Sequence, residues 1–250
     1  MTPVVLVVHG SRDPRAAAAT RALVRAVAAA RPGLDVRASF LDHTLPRPAQ
    51  VLAGLASAGH AGAVVVPLLL TAAYHTRVDI PAVLAAARAD GLRLPVAVSE
   101  PLGPVHGDVH PLLVAGLRRR LHELTTPYDA VVLVAAGTRD EAARATVASA
   151  AAALGDSLGV PCEAAYASAA PPRPGEAVAR LRAAGARDVA GAAYFLAPGR
   201  LYEAAVASAT AAGAVGVASP LGGAWELARV VLDRVDAAAT AAPRDLRIAA

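Results

Sequence analysis

The sequence predicts an α/β protein made of two similar domains from an internal duplication, each a parallel sheet of about four strands flanked by helices. Three observations carry this expectation. Apolar runs rich in valine and leucine alternate strictly with longer alanine-rich segments that carry arginine and acidic residues on one face. The runs are apolar throughout instead of at every second residue, as strands covered on both faces of a parallel sheet must be. The pattern is also written twice: VVLVVHGSRD (4–13) and VVLVAAGTRD (131–140) agree at seven of ten positions. PRP at 46–48 returns at 172–174, and SEPLG (99–103) is echoed by ASPLG (218–222), so three echoes occur in order.

Taken along the chain, the first strand is expected over 3–8, ending abruptly on His9. Gly10 permits a tight turn, Ser11 or Asp13 can cap the helix over 14–30, and Pro14 suits its first turn. Strands over 35–41, 62–69 and 94–99 alternate with helices over 47–58, 79–90 and 108–124; Pro111 argues that the last of these starts only there. The second half follows suit, with strands over 129–135, 162–167, 188–196 and 214–218 and helices over 139–156, 174–184, 201–212 and 223–238. The expected domains are therefore 1–125 and 126–250, joined around LTTPYDA (124–130).

Composition narrows the function. A chain of 250 residues that is 56% hydrophobic buries a full core. Lysine and asparagine are absent, so all 24 basic residues are arginine, the mark of a GC-rich coding sequence. The net charge of +4 suits an acidic ligand, yet the arginines are scattered and only 3% of residues are aromatic, which argues against nucleic acid as a partner. A lone Cys162 excludes an internal disulfide and a multi-cysteine zinc site, and an inert buried thiol is expected. No basic leader precedes the first strand, and no apolar run reaches the roughly 18 residues that span a bilayer. A cytoplasmic protein without a membrane partner is expected.

The duplication supplies an internal comparison. All seven histidines (His9, His43, His60, His75, His106, His110 and His122) lie in the first half. His9 corresponds to Ala136 and Asp42 to Ser168, while the glycine, arginine and aspartate of the first loop are kept as Gly137, Arg139 and Asp140. One working site and one scaffold copy follow. In an open parallel sheet ligands bind beyond the carboxyl ends of the strands. His9, Asp42 and His75 follow the first, second and third strands, so all three belong to one edge. Two imidazoles and a carboxylate with open positions suit a first-row divalent metal that is exchanged or delivered. His43 is expected to point away from Asp42 if the strand persists, because neighbouring side chains alternate. His60 precedes a strand at the opposite edge and is expected to face water, and His106 and His110 share a helical face only if the helix begins before Pro111. The helix N-terminus after Arg12 would attract carboxylates or phosphates, although the retained Arg139 and Asp140 make Arg12 and Asp13 at least partly structural.

With HGSRD opening the chain, FLDHTLP after the second strand, VVPLLLTAAYHTRVDIP after the third and EPLG after the fourth, the first half resembles the sirohydrochlorin chelatases, the class II tetrapyrrole chelatases of the cobalt and iron branches. The resemblance covers the whole chain, since long members are tandem duplications with an active first half and a degenerate second half completing the cleft. It implies a lyase that inserts Co2+ or Fe2+ into sirohydrochlorin on the way to cobalamin or sirohaem, with no permanently bound cofactor. Family members place essential histidines where His9 and His75 stand, and commonly a glutamate where this chain has Asp42. A second histidine just before DIP is replaced here by Val78. The resemblance further implies that Gly10, Ser11, Arg12, Leu69, Leu70, Thr71, Tyr74 and Arg77 meet the macrocycle, arginines at its carboxylate rim and Leu69, Leu70 and Tyr74 against its apolar disc. A monomer is expected, because the duplication supplies both halves.

Two alternatives remain on the residues alone. A histidine phosphatase also carries His-Gly after its first strand, but needs an arginine before that histidine, where Val8 stands here. A non-catalytic tetrapyrrole or metal carrier would bind the same ligands without speeding metallation.

Overall fold

The structure, a computed structural model, describes residues 1–71, 79–105 and 107–241. The first repeat gives β1 (Val4–Val8), α1 (Pro14–Ala30), β2 (Val36–Phe40), α2 (Pro48–Ser57), β3 (Ala63–Pro67), α3 (Ile80–Ala89), β4 (Val96–Val98) and α4 (Pro111–His122). The second gives β5 (Ala130–Ala135), α5 (Glu141–Leu158), β6 (Cys162–Tyr166), α6 (Pro174–Ala183), β7 (Val189–Tyr194), α7 (Arg200–Ala211), β8 (Gly216–Val217) and α8 (Trp225–Ala241). The expected alternation is present throughout, with shorter last strands. Both sheets are parallel and share one strand order, β2-β1-β3-β4 and β6-β5-β7-β8.

In the first sheet side chains alternate across the pleat. Val5, Val7 and Val65 meet Val51, Leu52 and Leu55 of α2 and Ile80 and Leu84 of α3 in one buried cluster. Val4, Leu6, Val64 and Val66 are equally buried, and α1 and α8 pack on the sheet as well. Burial on both sides explains why β1 and β3 read as unbroken apolar runs. In the second sheet Val132, Val134 and Val189 pack with Ala177 and Val178 of α6 and Ala205 and Ala209 of α7.

The described chain divides into two compact units that do not coincide with the sequence halves 1–125 and 126–250. One comprises Met1–Leu102 with the chain from Gly223 onward; the other is Gly103–Gly222. Hence α8, written in the second repeat, packs on α1 and β3, whereas α4, written in the first, packs on α5 and β7. Paired hydrogen bonds of 2.7 Å from Arg31, after α1, to Asp236 of α8 and a 2.8 Å bond from Arg234 Nε to the Pro101 carbonyl tie α8 into the first unit. In the second unit Arg118 of α4 reaches Ser157 of α5 at 3.3 Å. An apolar helical stripe does not specify which sheet will cover it, so repeat boundaries and packing boundaries differ.

Candidate active site

The carboxyl edge of the first sheet is assembled by its backbone. Beyond the last register pair of β1 and β2, Leu41 donates its N–H to Val8 O at 2.9 Å and Asp42 donates to His9 O at 2.7 Å. Gly10 adopts φ +98, and a Cβ there would lie 1.9 Å from the Asp42 carbonyl oxygen. Only glycine admits both that φ and that approach. His9 and Asp42 are thereby held side by side, both exposed. The loop after β2 closes on itself, with Thr44 donating to Asp42 O at 2.7 Å and Phe40 to Pro46 O at 2.9 Å, and Thr44 Oγ1 bonds the Ser11 carbonyl at 3.3 Å.

Asp42 is surrounded by donors. One carboxylate oxygen accepts the His43 backbone N–H at 2.7 Å, the other lies 3.4 Å from His43 Nε2, and Arg47 stands 3.8 Å away. The His43 N–H, followed by the charges of His43, Arg47 and His9, holds the Asp42 carboxyl below its usual range. It is therefore an anion at neutral pH, the form that binds a cation.

The strand does not persist to His43, so the condition for its pointing away from Asp42 is not met. β2 ends at Phe40 and His43 takes the left-handed conformation, φ 58, so alternation no longer governs its direction. Its ring meets that of His9 edge-on, with centroids 6.4 Å apart and planes at 87°. The turn-forming sequence Asp-His-Thr-Leu-Pro signals this end of the strand.

The other expected site residues fall into three groups. Ser11 accepts the Asp13 N–H at 3.0 Å, and Asp13 caps α1 through the Arg15 N–H at 2.9 Å, so this part of the loop is structural, while Arg12 is exposed. Leu69, Leu70 and Thr71 are half-buried just past β3, where Leu68 donates its N–H to Val7 O at 2.8 Å and the chain turns with Leu69 donating to Pro67 O at 2.9 Å. Tyr74, His75 and Arg77, and also His106, lie outside the described residues. His60 sits 3.8 Å from Asp35 ahead of β3, away from this edge, and His110 caps α4 by accepting the Leu112 N–H at 3.2 Å on Nδ1. Among the described residues no three His, Cys, Asp or Glu side chains already enclose a metal position.

The second copy repeats the scaffold without the chemistry. Gly137 has φ 98 and a Cβ there would lie 2.0 Å from the Ser168 carbonyl oxygen; Ser168 donates its N–H to Ala136 O at 3.0 Å, and Ala169 has φ 64. Ala136, Ser168 and Ala169 thus stand where His9, Asp42 and His43 stand, and the Ser168 hydroxyl donates to the Ala136 carbonyl at 2.7 Å. The site is a set of side chains added to a loop that folds without them.

Both repeats, residues 3–124 and 130–238, match the CbiX family model. The chain belongs to the CbiX family. A sirohydrochlorin cobaltochelatase of Methanococcoides burtonii is 29% identical over 103 residues, 38% of this chain and 79% of that protein. Among solved structures, SirB from Bacillus subtilis with Fe3+ superposes with a TM-score of 0.80 at 23% identity, covering 96% of each chain. The sirohydrochlorin chelatase SirB from Bacillus subtilis subspecies spizizenii in complex with cobalt gives 0.77 at 22% identity, again over 96% of each. At such identities the superpositions establish that this CbiX-family chain shares the SirB fold over nearly its whole length. Among the described residues no helix is long and apolar enough to cross a membrane.

Proposed function

We propose that this CbiX-family protein is a chelatase that inserts a divalent cation, Co2+ or Fe2+, into sirohydrochlorin. The observation that carries the reading is the backbone-locked pair His9 and Asp42, on a carboxyl edge whose duplicate keeps the fold and lacks both groups. Membership of the CbiX family and the likeness to chelatases support it.

Metallation exchanges one M2+ for two pyrrole N–H protons, which leave the macrocycle as the cation enters. The site therefore needs a ligand that can release the metal and a base that is neutral near pH 7. Imidazole, with an ordinary pKa of about 6.5, does both. In this reading His9 and His75 face the macrocycle, holding the cation and accepting protons, and the anionic Asp42 draws the cation in. Leu69, Leu70 and Tyr74 pack against the ring, Arg12 and Arg77 hold its carboxylate rim, and Gly10, Ser11 and Thr71 border the macrocycle through the backbone of their loops. Residues of the second repeat serve as scaffold. A phosphoryl-transfer role for His9 finds no support, since Val8, not an arginine, precedes it.

The test is anaerobic metallation of sirohydrochlorin with Co2+ and Fe2+ in parallel, followed by absorbance against enzyme-free blanks. Metallation faster than the blank with at least one metal is expected. Tight sirohydrochlorin binding at the blank rate would instead identify a carrier.

A further inference from the structure

We propose that His43 is a third ligand of the metal-handling site, taking the divalent cation from solvent together with His9 and Asp42. The cation's onward transfer rests on the chelatase reading; its binding does not.

The first argument is positional. The left-handed turn at His43 does not require histidine, because Ala169 occupies the same turn in the second copy with nearly the same φ, 64 against 58. An imidazole is thus present where the backbone is satisfied with a methyl group. It is also found only in the copy that carries His9 and Asp42.

Distances supply the second argument. With metal–nitrogen bonds of about 2.1 Å, two imidazoles on one cation hold their ring centres roughly 4.5–6.5 Å apart. The His9–His43 separation is 6.4 Å, at the wide end of that span, where the two rings stand on opposite sides of the ion. Nitrogen and oxygen donors on one tetrahedral or octahedral cation lie roughly 3.0–3.4 Å apart. His43 Nε2 stands 3.4 Å from the Asp42 carboxylate. His43 is thus near ligand spacing from each partner without the three groups enclosing a common point, and rotation of the imidazoles about their side-chain bonds would close them on an arriving ion.

Access is the third. The Asp42 side chain is 53% exposed and that of His43 32%, so a hydrated cation reaches both without displacing the core. Such a half-open set binds a metal reversibly, which a delivery site needs and a closed cage denies.

The experiment titrates the full-length protein with Co2+ alone, reading affinity by calorimetry and the ligand field by visible absorption. His43→Ala reproduces the side chain of Ala169, and His43→Asn suits a left-handed backbone while removing the imidazole; thermal melts verify both folds. Each variant is expected to bind Co2+ about 10–100-fold more weakly, the range seen when a metal site's support is cut, with an altered Co2+ spectrum. In metallation assays KM for Co2+ should rise by a similar factor while kcat falls much less. Wild-type affinity and spectrum in either folded variant, or no Co2+ binding by the wild-type protein, overturns the proposal. A wild-type protein that binds Co2+ through His43 yet never metallates sirohydrochlorin would overturn the chelatase reading and leave this one standing.

Discussion

The backbone N–H of Asp42 donates to the carbonyl oxygen of His9 at 2.7 Å, and Ser168 and Ala136 repeat that bond at 3.0 Å in the second copy. One hydrogen bond thus sets a carboxylate beside an imidazole in the first sheet and a hydroxyl beside a methyl group in the second.

Gly10→Ala and Gly137→Ala make the sharpest pair of tests, because each forces a Cβ to about the same clash, 1.9 and 2.0 Å from a carbonyl oxygen, at φ +98. Both should destabilise the protein, by about 2–4 kcal/mol, from strain and backbone displacement. Only Gly10→Ala should also cut metallation more than about tenfold at a temperature where both variants are folded. Equal activity losses in the two would show that the copies contribute alike, contrary to a single site.

Removing the imidazole should separate chemistry from folding. His9→Ala is expected to lower metallation about 100-fold or more while leaving the melting temperature close to wild type, since His9 is exposed. The same is expected of His75→Ala. Ala136→His should add no activity, as Ser168 and Ala169 supply no partners. Rates for the three variants, measured alongside far-ultraviolet circular dichroism, check this; full activity in both His→Ala variants would remove the proposed site.

Docking of α8 on α1 is testable through Arg31 and Asp236. A double-mutant cycle with alanine should give a coupling of about 0.5 kcal/mol at pH 7, the size of an exposed, well-aligned pair. The Arg31 hydrogen bond lowers the Asp236 pKa. A carboxyl lowered on folding contributes stability that is complete above its unfolded value and lost as pH falls through the folded one. The coupling should therefore be complete at neutral pH and be lost as pH falls below the ordinary aspartate range and through the lowered folded value. No coupling at neutral pH would contradict the packing of α8 in the first unit.

Cys162 should be inert in the native protein. Burial pushes its thiol up to about 12, leaving almost no thiolate at pH 8. Reaction with a disulfide reagent should be slow until denaturant is added, then complete. Rapid labelling of folded protein would show that the thiol is open to solvent.

Much of this was legible in the residues. Unbroken apolar runs located the strands, because a strand covered on both faces has no polar side to show. The duplication singled out His9 and Asp42 by what the second copy lacks, and Gly10 by what it keeps. The direction of His43 was open, because alternation is a rule for strands and the chain leaves the strand at Phe40 before His43 turns left-handed.

Composition and pattern by themselves determined the elements, their order, the duplication and the sheet edge at which His9 and Asp42 stand. These depend on side-chain periodicity over a few residues, and sequence displays that directly. Only the tertiary structure decided that α4 and α8 pack with the opposite repeats and that His43 faces His9. Those outcomes depend on which distant surfaces meet and on one backbone torsion past the end of a strand, neither of which any local pattern encodes.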